Sequence, residues 1–331
     1  MEPSIKVSSG TLAVLGLSNG RLDAPPTTAY LMVGGRCRMD CGFCAQARGS
    51  KASAIALSRV NWPSRRQEQV LAAVREAYAA GKIERCCLQV TVSPGYLDRV
   101  REIAAQIGRE VPLGASVVAD ADQAGDLLNV GLKRVGLALD AASEEPYRRV
   151  KGGDFGEALD VMEQAACRFP GRIATHLIVG LGETEEEAIR MTGRLHSWGV
   201  TVALFAFTPV RGTRMEHEPP PPLESYRRLQ VSHQLITRNL ADVEDFGFSS
   251  EGRIVSFGRP RDELRTLLSD GSAFRTSGCP GCNRPYYNER PGGPLYNYPR
   301  ILTLEETREA VEMALSHIAD EASALGQADR S

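Results

Sequence analysis

Three thiols lie within eight residues in Cys37-Arg38-Met39-Asp40-Cys41-Gly42-Phe43-Cys44, separated by three residues and then two. Thiolates are the soft ligands that iron–sulfur clusters and zinc select. Three cysteines without a local fourth leave one iron of a cluster open to an outside ligand. A zinc knuckle, or three unrelated core cysteines, is the plainer reading of the same residues. A second pair, Cys279-Pro280-Gly281-Cys282, sits in a loop rich in Gly and Pro. Such a pair serves zinc, redox chemistry or a cluster. A redox pair usually opens a helix in a thioredoxin-like fold, and this one opens none. A structural zinc wants two more Cys or His nearby. His217 and His233 are distant in sequence, and His317 lies on the last predicted helix.

The elements that must position these thiols alternate along the chain. Strands are expected at Ala29–Val33, Arg85–Val92, Leu113–Val117, Arg134–Leu139, Ile173–Val179 and Thr201–Phe207. Helices are expected at Ser64–Ala80, Tyr96–Ile107, Asp120–Asn129, Asp154–Arg168, Glu185–Trp198 and Leu223–Leu240, with Ser64 as an N-cap after Pro63. Six β-then-α units imply right-handed crossovers and a parallel sheet, short of the eight that close a full barrel. The expected fold is therefore α/β: a partial (β/α)6 TIM-like barrel with an irregular C-terminal extension carrying the second cysteine pair. Residues 1–28 read as a lead-in with a short helix near Thr11–Leu17, residues 29–245 as the barrel, and 246–331 as the extension that closes it. Pro219–Pro222 is a stiff spacer, and a final helix is expected at Leu304–Ala324. Active residues of such folds sit at the C-terminal ends of strands, where the Cys37 loop falls.

Strand alternation sorts the remaining candidates. From Arg85 to Ser93, Cys86, Leu88, Val90 and Val92 make an apolar face, while Arg85, Cys87, Gln89, Thr91 and Ser93 make a polar one. Cys87 should thus face the lumen, and Cys86 should be a small buried hydrophobe. On the fourth strand Gly136, Ala138 and Asp140 are small or acidic and leave room for a ligand; Asp140 suits ribose hydroxyls or a turn cap equally. Gly180 and Gly182, with Glu183, permit close backbone approach to a ligand, and Thr184 is an ordinary helix start. Arg149 and Lys151 read as loop charges, His176 as a satisfied core histidine, and Cys167 as packing. If the tail folds over the barrel mouth, Cys87 completes a three-thiol site with Cys279 and Cys282, which favours a second, auxiliary iron–sulfur cluster. Its fourth ligand stays open between Ser277, a substrate atom and an exogenous sulfide.

Composition sets the outer bounds. The 331 residues, 42% apolar, suffice for a full core, and the net charge of −2 with no long basic run does not suggest nucleic-acid binding. No membrane span and no signal peptide are expected. Eight cysteines, several clustered, read as metal ligands in a reducing cytoplasm rather than as disulfides.

The spacing of the first three cysteines, with Phe43 among them, resembles the signature of the radical S-adenosylmethionine (SAM) superfamily. Taken from about Thr27 to about Arg300, the pattern resembles its biotin synthase-like branch. Cys37-Arg38-Met39-Asp40-Cys41-Gly42-Phe43-Cys44-Ala45-Gln46-Ala47-Arg48 and the Cys279–Pro299 tail look most like the two-component lipoyl synthases of archaea and some bacteria. The resemblance implies a 4Fe-4S cluster on Cys37, Cys41 and Cys44. Its open iron would bind SAM through the amino and carboxylate groups, and reduction would cleave SAM to a 5′-deoxyadenosyl radical. It further implies ribose binding by Asp140, Lys151 or Arg149 at the methionyl carboxylate, and Gly180, Gly182 and Glu183 beside SAM. Cys87 occupies the place of a cluster cysteine on the second strand of biotin synthase, whose cluster sulfide bonds to the substrate radical. Two departures argue for a different substrate. The fourth strand lacks the asparagines that hold the biotin precursor, and the Cys279/Cys282 tail is foreign to that enzyme. The implied activity is sulfur insertion into a protein-bound octanoyl chain, as one half of a two-enzyme lipoyl synthase. Implied partners are an octanoylated carrier protein or lipoyl domain, a partner lipoyl synthase subunit, and ferredoxin or flavodoxin as electron donor. The alternatives are biotin synthase-like or other sulfur-transfer or maturation chemistry, or a metal- or cluster-bearing assembly scaffold.

Overall fold

The computed structural model describes residues 3–289 and 292–318. In chain order it runs β1 (Ser4–Val7), α1 (Ser9–Val14), β2 (Thr28–Val33), a small hairpin of β3 (Ala56–Leu57) and β4 (Val60–Asn61), then β5 (Ser64–Arg66) and α2 (Gln67–Ala79). Strand and helix then alternate through β6 (Arg85–Val90), α3 (Tyr96–Ile107), β7 (Leu113–Val117), α4 (Ala121–Asn129), β8 (Arg134–Leu137), α5 (Glu144–Val150), α6 (Phe155–Arg168), β9 (Ile173–Val179), α7 (Glu185–Ser197), β10 (Thr201–Ala206) and α8 (Leu223–Thr237). The extension holds a hairpin of β11 (Gly247–Phe248) and β12 (Ile254–Ser256), then α9 (Arg261–Leu267) and α10 (Leu304–Leu315).

One sheet of eight strands, ordered β10-β9-β8-β7-β6-β2-β1-β5, carries the molecule. The run from β2 to β10 is parallel throughout, as the five crossovers joining its six strands require. These six strands match the predicted ones to within two residues at each end. β1 and β5 add an antiparallel end, with Lys6 paired to Met32 on one side and to Ser64 on the other. Two expectations are corrected here. The lead-in contributes a strand, and Ser64 is not a helix cap but part of β5. Pairing with Ser4–Lys6 holds residues 64–66 extended, so α2 begins only at Gln67. The short helix α5, between β8 and α6, was not anticipated. Of the expected last helix, Leu304–Leu315 is helical and residues 319–324 lie outside the described residues.

The two faces of the sheet bury different things. Ala29, Leu31, Cys86 and Leu88 join the large core under the helices, where α3 contributes Val100, Ile103, Ala104 and Ile107 at helical spacing. Tyr30 and Met32, the alternate residues of β2, face a small lumen cluster with Trp62 and Tyr287.

Residues 280–283 of the extension meet the barrel at the N-terminal ends of the strands. Thr27 Oγ1 donates to Gly281 O (2.5 Å), Arg85 to Pro280 O (3.1 Å), and Thr27 N to Asn283 Oδ1 (3.0 Å). The extension also covers the open edge of β10: Leu204 N donates to Ser277 Oγ (2.8 Å) and Asn288 Nδ2 to Ala206 O (2.7 Å). Among the described residues no helix is long and apolar enough to cross a membrane.

Candidate active site

The loop after β2 is pinned at both ends. Gly34 turns at φ +97°, where a Cβ would run into the Thr91 hydroxyl, so only glycine fits. Cys37 N donates to Gln46 O (2.9 Å), Arg38 N to Val92 O (2.8 Å) and Gly42 N to Val150 O (2.6 Å). Buried Gln46 donates to the carbonyls of Ala54 and Ala56, which fixes the far end of the loop. Cys37, Cys41 and Cys44 thereby line one cavity of about 160 Å³ at the C-terminal ends of the strands, together with Met32, Gln89, Asp140, Lys151 and His176. Burial, reinforced by Asp140, pushes the Cys41 thiol up to about 12; burial pushes Cys44 up to about 11 against hydrogen bonds from Gln46 and Ala47. Only a bound cation reverses that preference for the protonated thiol. Among the described residues no group of three Cys, His, Asp or Glu side chains is arranged to hold a single metal ion. Three uncombined thiols around one cavity suit a polynuclear centre, whose irons stand apart.

Asp140 follows β8 at φ +69°, held there by backbone bonds to β9: its N–H donates to His176 O (3.1 Å) and its carbonyl accepts from Ile178 (2.7 Å). Its carboxylate meets Lys151 Nζ at 2.8 Å and His176 Nε2 at 2.5 Å. Burial alone would raise its pKa, but Lys151 and His176 hold it well below the usual carboxylate range. Lys151 is raised in turn, because the Asp140 charge outweighs burial. The Lys151 ammonium also donates to the carbonyls of Ala138 and Leu139, so its three protons are engaged within the protein.

The structure brings Asp140 and Lys151 to the cavity and leaves Arg149, Gly180, Gly182 and Glu183 off its wall. Glu183 closes its own loop, accepting from Gly180 N (2.7 Å) and Leu181 N (3.0 Å). Half-exposed Arg149 donates to Leu181 O and fills the space a Cβ on Gly182 would take.

A second cavity of about 90 Å³ lies deeper in the lumen, walled by Tyr30, Arg85, Cys87, Gly114, Gly136, Ala203, Phe205, Cys279, Cys282, Arg284 and Tyr287. Cys87 accepts from Gln89 Nε2 (3.3 Å), and Cys282 Sγ lies 3.1 Å from the Tyr30 hydroxyl. Burial, with Cys279 and Cys282 adding to it, pushes the Cys87 thiol up to about 12. The hydroxyls of Tyr287 and Thr28 are buried here without a partner, as befits a pocket built around a polar group. Cys86 is fully buried in the outer core, on the opposite face.

Gln89, Ser116 and His176 belong to the walls of both cavities. His176 is the functional candidate that sequence reasoning missed. Its ring bonds Asp140 and packs on Phe205, with centroids 5.1 Å apart. The alternation that placed Cys87 was available for β9 too, where Ala174 and His176 share the lumen face.

A model of the radical SAM superfamily matches residues 31–195. Similar proteins include biotin synthases of Magnetococcus marinus (29% identical over 170 residues, 49% of this chain and 50% of the relative), Geobacter sulfurreducens (26%, 71% and 78%) and Desulforudis audaxviator (30%, 61% and 62%). The matched part spans about half the length of the Magnetococcus marinus relative and of another biotin synthase, that of Acaryochloris marina. Solved structures share the fold at low identity. The FeFe-hydrogenase maturase HydG aligns at TM-score 0.53 (14% identical, 63% of this chain, 50% of that one), and methylornithine synthase PylB at 0.50 (17%, 64% and 62%). With the three-thiol loop near the start of the matched segment and the parallel βα sheet carrying it, just under half of this chain is similar to the radical SAM superfamily, and the curated proteins it resembles there are biotin synthases.

Proposed function

We propose that this chain is a sulfur-insertion enzyme acting at an unactivated C–H position of an aliphatic chain held between two iron–sulfur centres. The observation that carries the reading is the pair of thiol sets, Cys37/Cys41/Cys44 and Cys87/Cys279/Cys282, in two cavities that meet at Gln89, Ser116 and His176. When bound, a 4Fe-4S cluster with SAM supplies the 5′-deoxyadenosyl radical, and an auxiliary cluster supplies sulfide. Asp140, fixed by Lys151 and His176, accepts hydrogen bonds from the ribose with its remaining lone pairs. Phe205 and Tyr287 keep water from the deeper cavity.

The substrate reading is octanoyl-lysine on a carrier protein or lipoyl domain, with a partner lipoyl synthase subunit making the second insertion and ferredoxin or flavodoxin supplying electrons. It is supported by small and apolar walls at Gly114, Gly136, Ala203 and Phe205, which suit a saturated chain, and by the absence of asparagines from β8. The names of the relatives favour a biotin precursor instead. The test is mass analysis of an octanoyl-lysyl peptide and of the biotin precursor, each incubated with anaerobically purified enzyme, SAM and reductant. Sulfur on the peptide is expected. Sulfur on the biotin precursor alone moves the activity to biotin synthesis, and zinc without SAM cleavage removes the enzyme reading altogether.

A further inference from the structure

A cleft of about 650 Å³ lies outside the lumen at the N-terminal ends of the strands. Its inner wall is the loop Ser277–Cys282. Ser277, Cys279 and Cys282 also line the deeper lumen cavity, so this one loop is the partition between the two spaces. We propose that the cleft is the port through which a preformed iron–sulfur cluster reaches Cys279 and Cys282, which rests on reading these thiols, with Cys87, as cluster ligands.

The route through the mouth is the harder one. A cluster entering there would cross the Cys37 cavity and then pass Gln89, Ser116 and His176, where the His176 ring is tied to Asp140 at 2.5 Å and backed by Phe205. The partition, by contrast, can swing. It turns at Gly278 (φ +106°) and Gly281 (φ +72°), and Pro280 is exposed. Its tip is tied by single bonds from Thr27 Oγ1 to Gly281 O and from Arg85 to Pro280 O, its ends by Ser277 Oγ on Leu204 N and by Cys282 Sγ against the Tyr30 hydroxyl, and none of these is a strand-to-strand bond. A thiolate-ligated cluster is an anion. Exposed Arg238 and Arg275 stand on the cleft wall; Glu84 on the same wall lies close to Gly281, and Asp270 sits behind the two arginines, near enough for both to act on its carboxylate. Transfer is a ligand exchange. Iron–sulfur bonds to Cys279, Cys282 and then Cys87 form as three bonds to the outgoing thiolates break, and those thiolates take up the protons the three cysteines release. No electron moves. The cluster arrives on a carrier protein or ligated by small thiols.

The test starts with the full-length apo protein and a bulky maleimide, mapped by peptide mass analysis. Cys279 and Cys282 should react faster than Cys87. Thr237→Trp, which fills the cleft, should slow their labelling about tenfold or more. It should equally slow loading of the second cluster, read as iron content and visible absorbance, while the first set of thiols loads normally. Val118→Trp, at the mouth cavity, should not affect loading of the second cluster. Arg238→Glu with Arg275→Glu provides a second, surface-only variant and should slow loading. Slowing with both a glutathione-ligated cluster and a carrier protein assigns the attraction to the cluster itself; slowing with the carrier alone assigns it to the carrier's acidic face. Loading blocked by Val118→Trp, or unaffected by both cleft variants, overturns the port. These readouts need no turnover, so the port and the sulfur-insertion reading fail separately.

Discussion

Cys86 and Cys87 are neighbours in sequence and strangers in space. Cys86 is fully buried among the outer core, while Cys87 lines the lumen with Cys279 and Cys282. Cys86→Ala should cost about 1 kcal/mol, the scale of a small core truncation. It should leave iron content unchanged. Cys87→Ala should lower iron by part of one cluster and stop sulfur transfer, which parallel iron assays will check; equal loss in both variants would put the strand register in doubt. His233 provides a test without metal. Burial drives its pKa down to about 4, so the folded state holds the ring neutral, its Nε2 against Val202 O. A depressed folded value means stability is full above the ordinary histidine value near 6.5 and falls as pH drops towards about 4. Denaturant midpoints at pH 7 and pH 4 should reveal a loss of roughly 3 kcal/mol that His233→Gln lacks. The thiols were legible from type and spacing, since few other patterns use them so. His176 was not, because a lone histidine in a strand looks alike whether it fills a core or bonds a carboxylate 36 residues away.

At the scale of elements, what the sequence made plain were the pieces with strong periodicity. α3 and the six parallel strands fall where apolar spacing put them, and Thr184 caps α7 with the reciprocal Glu187 bond of a capping box. The misses share one cause. β1 and β5 are four and three residues long, and such segments carry too little pattern to be told from loop or helix start. Their conformation comes from pairing with each other and with β2. The open edge of β10 is satisfied by side chains instead of a strand: Ser277, Asn288 and His233. Ser277→Ala leaves the Leu204 N–H unpaired and should cost about 1–3 kcal/mol. The measurement is the chemical denaturation midpoint together with hydrogen exchange at Leu204, which should speed up in the variant. Unchanged exchange would mean water replaces the hydroxyl at no cost.

Across the whole molecule, the extension links chemistry and architecture. Its contact with the strand N-termini was not legible, because Gly- and Pro-rich sequence has no period to give direction. The double replacement Cys279→Ala/Cys282→Ala should keep the first cluster and SAM cleavage, lose sulfur transfer, and leave residues 275–300 sensitive to protease. Sulfur incorporation from isotopically labelled clusters, run beside limited proteolysis, checks both halves; at most about one insertion per auxiliary cluster is expected without rebuilding. Product without label would remove that cluster from the reaction.

The cover on β10 also sets an order of events during synthesis. Leu204 and its partner Ser277 are 73 residues apart. At ~5–20 residues per second, a ribosome takes about 4–15 seconds to deliver the second after the first. For that interval the nascent sheet ends in a parallel edge with no more than the His233 bond to cover it, the kind of template that recruits stray strands. The lumen is open from below over the same seconds, and both the edge and the opening close only as the last quarter of the chain emerges.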